Sequence, residues 1–205
     1  RISGLPKMNF LRRIFWKSLN NKLNQIICPT EMTKKFLIKE KIFSEKKLIV
    51  VRDPIINLSI INKLKNVKNS DLNTKGEHVV SIGRLTYQKN FEFLIKNFLY
   101  ISQAHPNLKL IILGEGERKN SLKKLIKYHE LEKKIILCGN VKNIYPYLST
   151  AKFIVLTSRW EDPGFVIIES MFMKKIILSS DCKNGPIEII NDGINGFLFK
   201  NLDKA

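Results

Sequence analysis

From residue 78 onward, short apolar runs alternate with amphipathic stretches, and this alternation constrains the fold more than any other feature of the chain. Val79-Val80-Ser81-Ile82 predicts a strand and 91–102 a helix. A strand over 108–113, a helix over 117–129, a strand over 135–138 and a short helix over 144–150 follow. Strand 152–157, helix 166–173, strand 176–179, a helical turn near 186–191 and strand 197–199 complete the series. Strand–helix alternation of this kind means a parallel sheet with helices on both faces, an α/β fold. In such sheets ligands bind beyond the carboxyl ends of the strands, so the chemistry belongs in the loops that leave them.

The upstream part is patterned differently. Over 1–24, Leu11, Ile14, Phe15, Leu19 and Leu23 fall at helical spacing, with Lys7, Arg12, Arg13, Lys17 and Lys22 between them. Two readings stand: the apolar face packs on a sheet, or it makes peripheral contact with an anionic membrane. Residues 25–28 predict a strand, Pro29-Thr30 opens a helix to about Lys41 with Thr30 as its cap, and 47–51 predict a second strand. Residues 57–77 are polar and Asn/Lys-rich, a crossover between domains. The expected organisation is therefore a first domain's tail over 1–60, a linker over 61–77 and a second domain over 78–205.

Net charge is +18, from 36 basic and 18 acidic residues, which suits an anionic partner: nucleotide, nucleic acid or acidic membrane. The lysines are spread along the chain, so a solvated basic surface is an equal reading. An apolar fraction of 44% supports a packed core and excludes a disordered chain. Cys28, Cys138 and Cys182 lie far apart, and His78, His105 and His129 do not cluster, so neither a disulfide framework nor a metal site is expected. Cysteine usage fits a reducing, cytoplasmic setting, at or near the inner face of the cytoplasmic membrane if the basic helix docks there. No apolar run reaches transmembrane length. The chain begins at Arg1 and ends soon after Gly196-Phe197-Leu198-Phe199, which reads as a piece of a longer protein.

Four post-strand loops carry candidate chemistry. In Gly83-Arg84-Leu85-Thr86-Tyr87-Gln88-Lys89-Asn90 two cations flank a helix start that Asn90 can cap. A forked guanidinium, a point ammonium and helix-end amides suit a diphosphate, and two solvated surface cations are the plainer reading. Gly114-Glu115-Gly116-Glu117 is a partial dinucleotide fingerprint lacking its third glycine, better read as a turn with an acidic helix start. Gly139-Asn140-Val141-Lys142-Asn143-Ile144 is placed to hold a nucleobase by its backbone. The stretch 158–169 holds two glutamates, Glu161 and Glu169, separated by seven residues and a Pro163-Gly164 break. Gly164, Phe165, Val166 and Ile167 would open a helix and present free amides to an anion. The plainer reading makes Glu161 a helix cap and Glu169 a solvated helix residue.

Taken as an ordered set, these loops closely resemble the nucleotide-sugar half of the family 4 retaining glycosyltransferases. The set includes Asn184-Gly185-Pro186 with Glu188 and Asp192-Gly193-Ile194-Asn195-Gly196, and it covers about 78–200. Residues 1–60 look like the tail of that family's acceptor domain, including Arg1-Ile2-Ser3-Gly4 and Cys28-Pro29-Thr30. The form Trp160-Glu161-Asp162-Pro163-Gly164-Phe165-Val166, with Ser179-Ser180-Asp181-Cys182, looks like the bacterial lipopolysaccharide and surface-glycan branch. The resemblance implies a GT-B fold, two Rossmann-like domains across a cleft. It implies a hexosyl or N-acetylhexosaminyl transferase that needs no metal and uses a nucleoside diphosphate sugar, a UDP-sugar first, with a glycan or lipid-linked acceptor. By this resemblance Gly83, Arg84 and Lys89 would hold the donor diphosphate, and Glu169 the ribose hydroxyls. Glu161 would contact the donor sugar, Gly164, Phe165 and Val166 would offer amides, and Asn140, Val141 and Ile144 would border the base. Nucleic acid is not expected as a partner, because carboxylates inside a phosphate groove repel. An epimerase or phosphorylase on the same fold is the enzymatic alternative. The chain departs from the family at Ser170-Met171-Phe172, where Ala-Met-Ala is frequent, and at Lys174-Lys175, where a small-residue turn is common.

Overall fold

The computed structural model describes residues 9–64, 77–161 and 163–200. The 1–4 motif, residues 65–76 of the expected linker and Asp162 lie outside the described residues. In chain order the elements are α1 (Phe10–Leu19), β1 (Ile26–Cys28), α2 (Glu31–Lys39), β2 (Leu48–Val50), α3 (Leu58–Leu64), β3 (His78–Ile82), α4 (Phe91–Ala104) and β4 (Lys109–Leu113). Then come α5 (Lys119–Tyr128), β5 (Ile135–Gly139), α6 (Tyr145–Thr150), β6 (Ile154–Leu156), α7 (Phe165–Phe172), β7 (Ile177–Ser180), α8 (Pro186–Ile189) and β8 (Phe197–Phe199).

Strands β3 to β8 form one parallel sheet in the order β5-β4-β3-β6-β7-β8. β3 is buried along its whole length, as expected of a strand covered on both faces. Helix α4 buries Phe91, Leu94, Ile95 and Phe98 at helical spacing, and with α5 it covers one face. Tyr147 and Leu148 of α6, Ile167 of α7 and Ile61 of α3 cover the other. The chain builds outward from β3 through β4 to β5, then returns to β6 on the other side of β3. That reversal makes the β3/β6 edge the switch point, where two post-strand loops diverge and leave a crevice.

Strands β1 and β2 form a separate parallel pair, Ile26 opposite Leu48, over a small core of Cys28, Leu37, Ile42 and Phe43. Thr30 caps α2 as predicted, accepting from the Thr33 amide at 3.0 Å. Helix α1 is shorter than the 1–24 pattern suggests, ending at Leu19. Its Phe10, Leu11, Ile14 and Phe15 are exposed, while Trp16 packs on Phe43. Within 57–77 the sequence predicts only a crossover, yet 58–64 form α3. Asn57 caps it by accepting from the Ile60 amide, and Ile61 anchors it in the larger core. The two sheets meet where the Glu188 carboxylate accepts from the Glu31 and Met32 amides at the start of α2, at 3.0 and 2.8 Å. No helix among the described residues is long and apolar enough to cross a membrane.

Candidate active site at the switch point

The loops leaving β3, β4 and β5 are stitched together by main chain. Gly83 N donates to Leu113 O at 3.0 Å, Leu85 N to Glu115 O at 2.8 Å and Gly114 N to Gly139 O at 2.7 Å. A Cβ on Gly114 would fall 1.9 Å from the Gly83 carbonyl oxygen, so only glycine lets these loops touch. The Gly-Glu-Gly segment therefore serves loop packing. It does not open a helix with acidic residues: α5 starts at Lys119, no acid lies in its first turn, and Glu115 pairs with Lys119. The three loops enclose a cavity of about 350 Å³ lined by Gly83, Arg84, Glu115, Asn140, Val141 and Ile144, among others. Five of the predicted binding residues thus share one hollow. Arg84 is exposed on its wall, and among the described residues it has no ion-pair partner.

The loops leaving β3 and β6 are cross-linked too. Thr157 Oγ1 donates to the Lys89 and Asn90 carbonyls, both at 3.1 Å, and Arg159 N donates to Gln88 O at 2.8 Å. This brings Lys89 Nζ to 2.6 and 2.8 Å from the two carboxylate oxygens of Glu161. Ser158 Oγ donates to the same carboxylate at 2.5 Å. The carboxylate is almost wholly enclosed, 4% exposed, and the lysine is 16% exposed. The lysine stem lies over Gly83, where a Cβ would sit 3.1 Å from it. Glu161 is therefore not a helix cap: α7 is capped by Gly164, in the left-handed region with φ 84°, and no side chain caps it. Asn90 also precedes its helix without capping it; its backbone is left-handed, with φ 52°. Sequence reasoning assigned Lys89 and Glu161 to separate parts of a ligand, and the structure pairs them with each other.

Helix α7 begins where predicted, at Phe165. Ile167 N donates to Gly164 O at 3.0 Å, so the first-turn amides left to a ligand are those of Phe165 and Val166. The Phe165 side chain lines a second cavity, about 340 Å³, between Pro29, Thr30 and Arg52 on one side and Met171 and Glu188 on the other. Glu169 is not a solvated helix residue. It is half-buried, and burial raises its pKa, opposed in part by the nearby Tyr145 phenol. Tyr145 went unremarked in the sequence, although Tyr145-Pro146 opens a helix directly after a ligand-side loop. Burial pushes the Cys182 thiol up to about 12, in keeping with a packing role and not a nucleophile's. The departures from family pattern are absorbed locally. Lys174 takes the left-handed conformation, φ 56°, at the end of α7, and Lys175 N closes the turn on Ser170 O at 3.0 Å.

A parallel sheet with a cavity, a helix start and an ion pair at its switch point is a Rossmann-like α/β domain. The sequence profile of the family described as glycosyl transferases group 1 matches residues 62–205, and the chain belongs to that family. An uncharacterized glycosyltransferase of Methanocaldococcus jannaschii is 35% identical over 178 residues, 83% of this chain and 43% of that protein. The N-acetylgalactosamine-N,N'-diacetylbacillosaminyl-diphospho-undecaprenol 4-alpha-N-acetylgalactosaminyltransferase of Campylobacter jejuni is 35% identical over 128 residues, 62% of this chain and 34% of that protein. The chain spans less than half the length of these curated relatives. The crystal structure of a mutant of S. aureus TarM, in complex with Fondaparinux, alpha-GlcNAc-glycerol and UDP, superposes with a TM-score of 0.81 at 23% identity. The match covers 99% of this chain and 40% of that one. The fold is GT-B glycosyltransferase α/β architecture.

Proposed function

We propose that residues 78–200 bind the donor of a glycosyltransferase, a nucleoside diphosphate sugar, and that residues 1–60 are the tail of its acceptor side. The carrying observation is the Lys89–Glu161 pair at 2.6 Å across the β3/β6 switch point, between the Arg84 cavity and the start of α7. A base fits the hollow bordered by Asn140, Val141 and Ile144, and the ribose diol suits Glu169. The diphosphate lies between the Arg84 guanidinium and the Phe165 and Val166 amides. The sugar's hydroxyls reach Glu161, whose position Lys89 and Ser158 fix. The Campylobacter jejuni relative is named for a diphospho-undecaprenol acceptor, which supports a lipid-linked or glycan acceptor here. The bound UDP of the TarM complex supports a UDP-sugar donor.

In the proposed transfer the bond from the sugar's anomeric carbon to the phosphate oxygen breaks, and a bond to the acceptor oxygen forms. Negative charge grows on the leaving diphosphate, where the Arg84 guanidinium and the helix-end amides stabilise it. Lys89 reaches that charge as its hold on Glu161 loosens. Attack from the leaving-group face, with the acceptor proton passing to the departing phosphate, gives retention. Calorimetric titration with UDP and GDP tests the donor site. The expected result is saturable binding of UDP, weakened about tenfold by Glu169→Ala. Binding of neither nucleotide by the folded chain, or a Glu169→Ala variant that binds UDP unchanged, overturns the reading.

A further inference from the structure

Among the described residues the Lys89–Glu161 ion pair is the most enclosed. Glu161 is its fixed partner. The Glu161 amide donates to Lys183 O at 3.1 Å, and Ser158 Oγ donates to one carboxylate oxygen at 2.5 Å. Ser180 Oγ in turn holds the Ser158 carbonyl at 2.6 Å. Lys89 is the movable partner, an ammonium on a flexible four-carbon stem. That stem lies over Gly83, which lines the cavity beside Arg84. Nζ meets both carboxylate oxygens, at 2.6 and 2.8 Å, so its charge is matched by that of Glu161. A phosphate that recruits Lys89 must break this pair and leave Glu161 buried without its counter-charge.

We infer that the diphosphate and Glu161 compete for Lys89, which makes the pair a switch favouring a nucleotide that carries its sugar over the bare nucleoside diphosphate. This rests on the donor-site reading above. Sugar hydroxyls donating to Glu161 take over the bonds of the lysine, and the ammonium turns to the diphosphate. After transfer those hydroxyls have left with the acceptor. Glu161 then recaptures Lys89, the diphosphate loses a cation, and the product is released. Glu161 thus weakens the hold on the product although it contacts the donor.

Calorimetry with UDP tests the competition on the unsubstituted chain, on Glu161→Gln, and on Glu161→Gln with Lys89→Met. Glutamine keeps the size of the side chain and an oxygen for Ser158, and removes the charge that holds the lysine. Glu161→Gln is expected to bind UDP about tenfold more tightly, ~1.4 kcal/mol, and Lys89→Met to remove that gain. Thermal unfolding gives a second reading, valid even for a variant that is barely folded alone. UDP replaces the counter-charge that the lysine has lost, so saturating UDP is expected to raise the melting temperature more for Glu161→Gln than for the unsubstituted chain. Unchanged or weakened UDP binding by folded Glu161→Gln overturns the inference. Where that variant is too unstable to titrate, an equal or smaller thermal rise does so. A gain that survives Lys89→Met also overturns it, because the gain then comes from removing a negative charge near the phosphates and not from a freed lysine. If the unsubstituted chain binds no UDP, the donor-site reading falls and this inference with it.

Discussion

Glu161 and Glu169 are separated by seven residues and one helix start, yet their surroundings are opposites. Glu161 is enclosed by an ammonium and a hydroxyl from two other loop positions, Lys89 and Ser158. Its charge is matched by another of opposite sign. Glu169 lies half-buried on α7 with no ion-pair partner among the described residues, and burial makes its ionised form harder to keep. The first carboxylate is part of a clamp between two strands. The second lies on a helix, and in the proposed reading its charge is shared with a ligand. If both acids face one ligand as proposed, losing the first is expected to cost structure and losing the second affinity.

The largest expected effect follows from breaking the clamp. Glu161→Ala leaves an ammonium that is only 16% exposed without its counter-charge. Losing one partner of a buried ion pair costs about 3 kcal/mol of stability, read as a drop in the urea midpoint. Replacing both, Glu161→Leu with Lys89→Met, is expected to recover most of that loss and still abolish binding of the donor's sugar. A single substitution that costs less than about 1 kcal/mol would show that the pair does not clamp the loops. Recovery of sugar binding by the apolar pair would show that Glu161 has no ligand role.

Glu169 answers to pH where the Glu161 clamp is not needed. An ordinary glutamate titrates at about 4.3, and burial raises Glu169 above its ordinary value. Protonation removes the charge that a ribose diol would bond to. UDP affinity is therefore expected to fall on acidification starting above the ordinary carboxylate range, and Glu169→Gln is expected to flatten that limb. For stability the sign is reversed. A carboxyl whose pKa is raised by folding adds stability that is full below its unfolded value and lost as pH rises through the folded one. A UDP affinity that stays flat down to the ordinary carboxylate range would place the titrating group elsewhere.

The sheet was legible because each strand is a short apolar run between turn residues, and β3 to β8 fall where such runs predict them. Helix α3 was not, since only Ile61 of its seven residues is buried and the rest read as polar crossover. The loops were legible as the ones leaving the carboxyl ends of the strands, but the partnership of Lys89 with Glu161 was not. They lie 72 positions apart, and only the β3/β6 adjacency of the finished sheet brings them together. Asn90 misled because a residue type favoured at helix starts can also supply left-handed backbone, and here it does the second. Tyr145 was missed for a different reason. It shares the larger core with Ile167 of α7, a neighbour that only the finished sheet supplies.

The smallest effect concerns the residue beside Glu169. Ser170 is fully buried, and its Oγ has no hydrogen-bond partner among the described residues. It stands where the family resemblance puts alanine. Alanine keeps the helix propensity, removes the unsatisfied hydroxyl and leaves a gap of a single atom. Ser170→Ala is expected to add about 1 kcal/mol of stability, seen as a raised urea midpoint at unchanged slope. Because the buried hydroxyl has no hydrogen bond to lose, UDP affinity should not change. A stabilised variant with weakened UDP binding would mean that the same helix turn sets the Glu169 carboxylate, and that the boundary between clamp and ligand contact runs through Ser170 and not beside it.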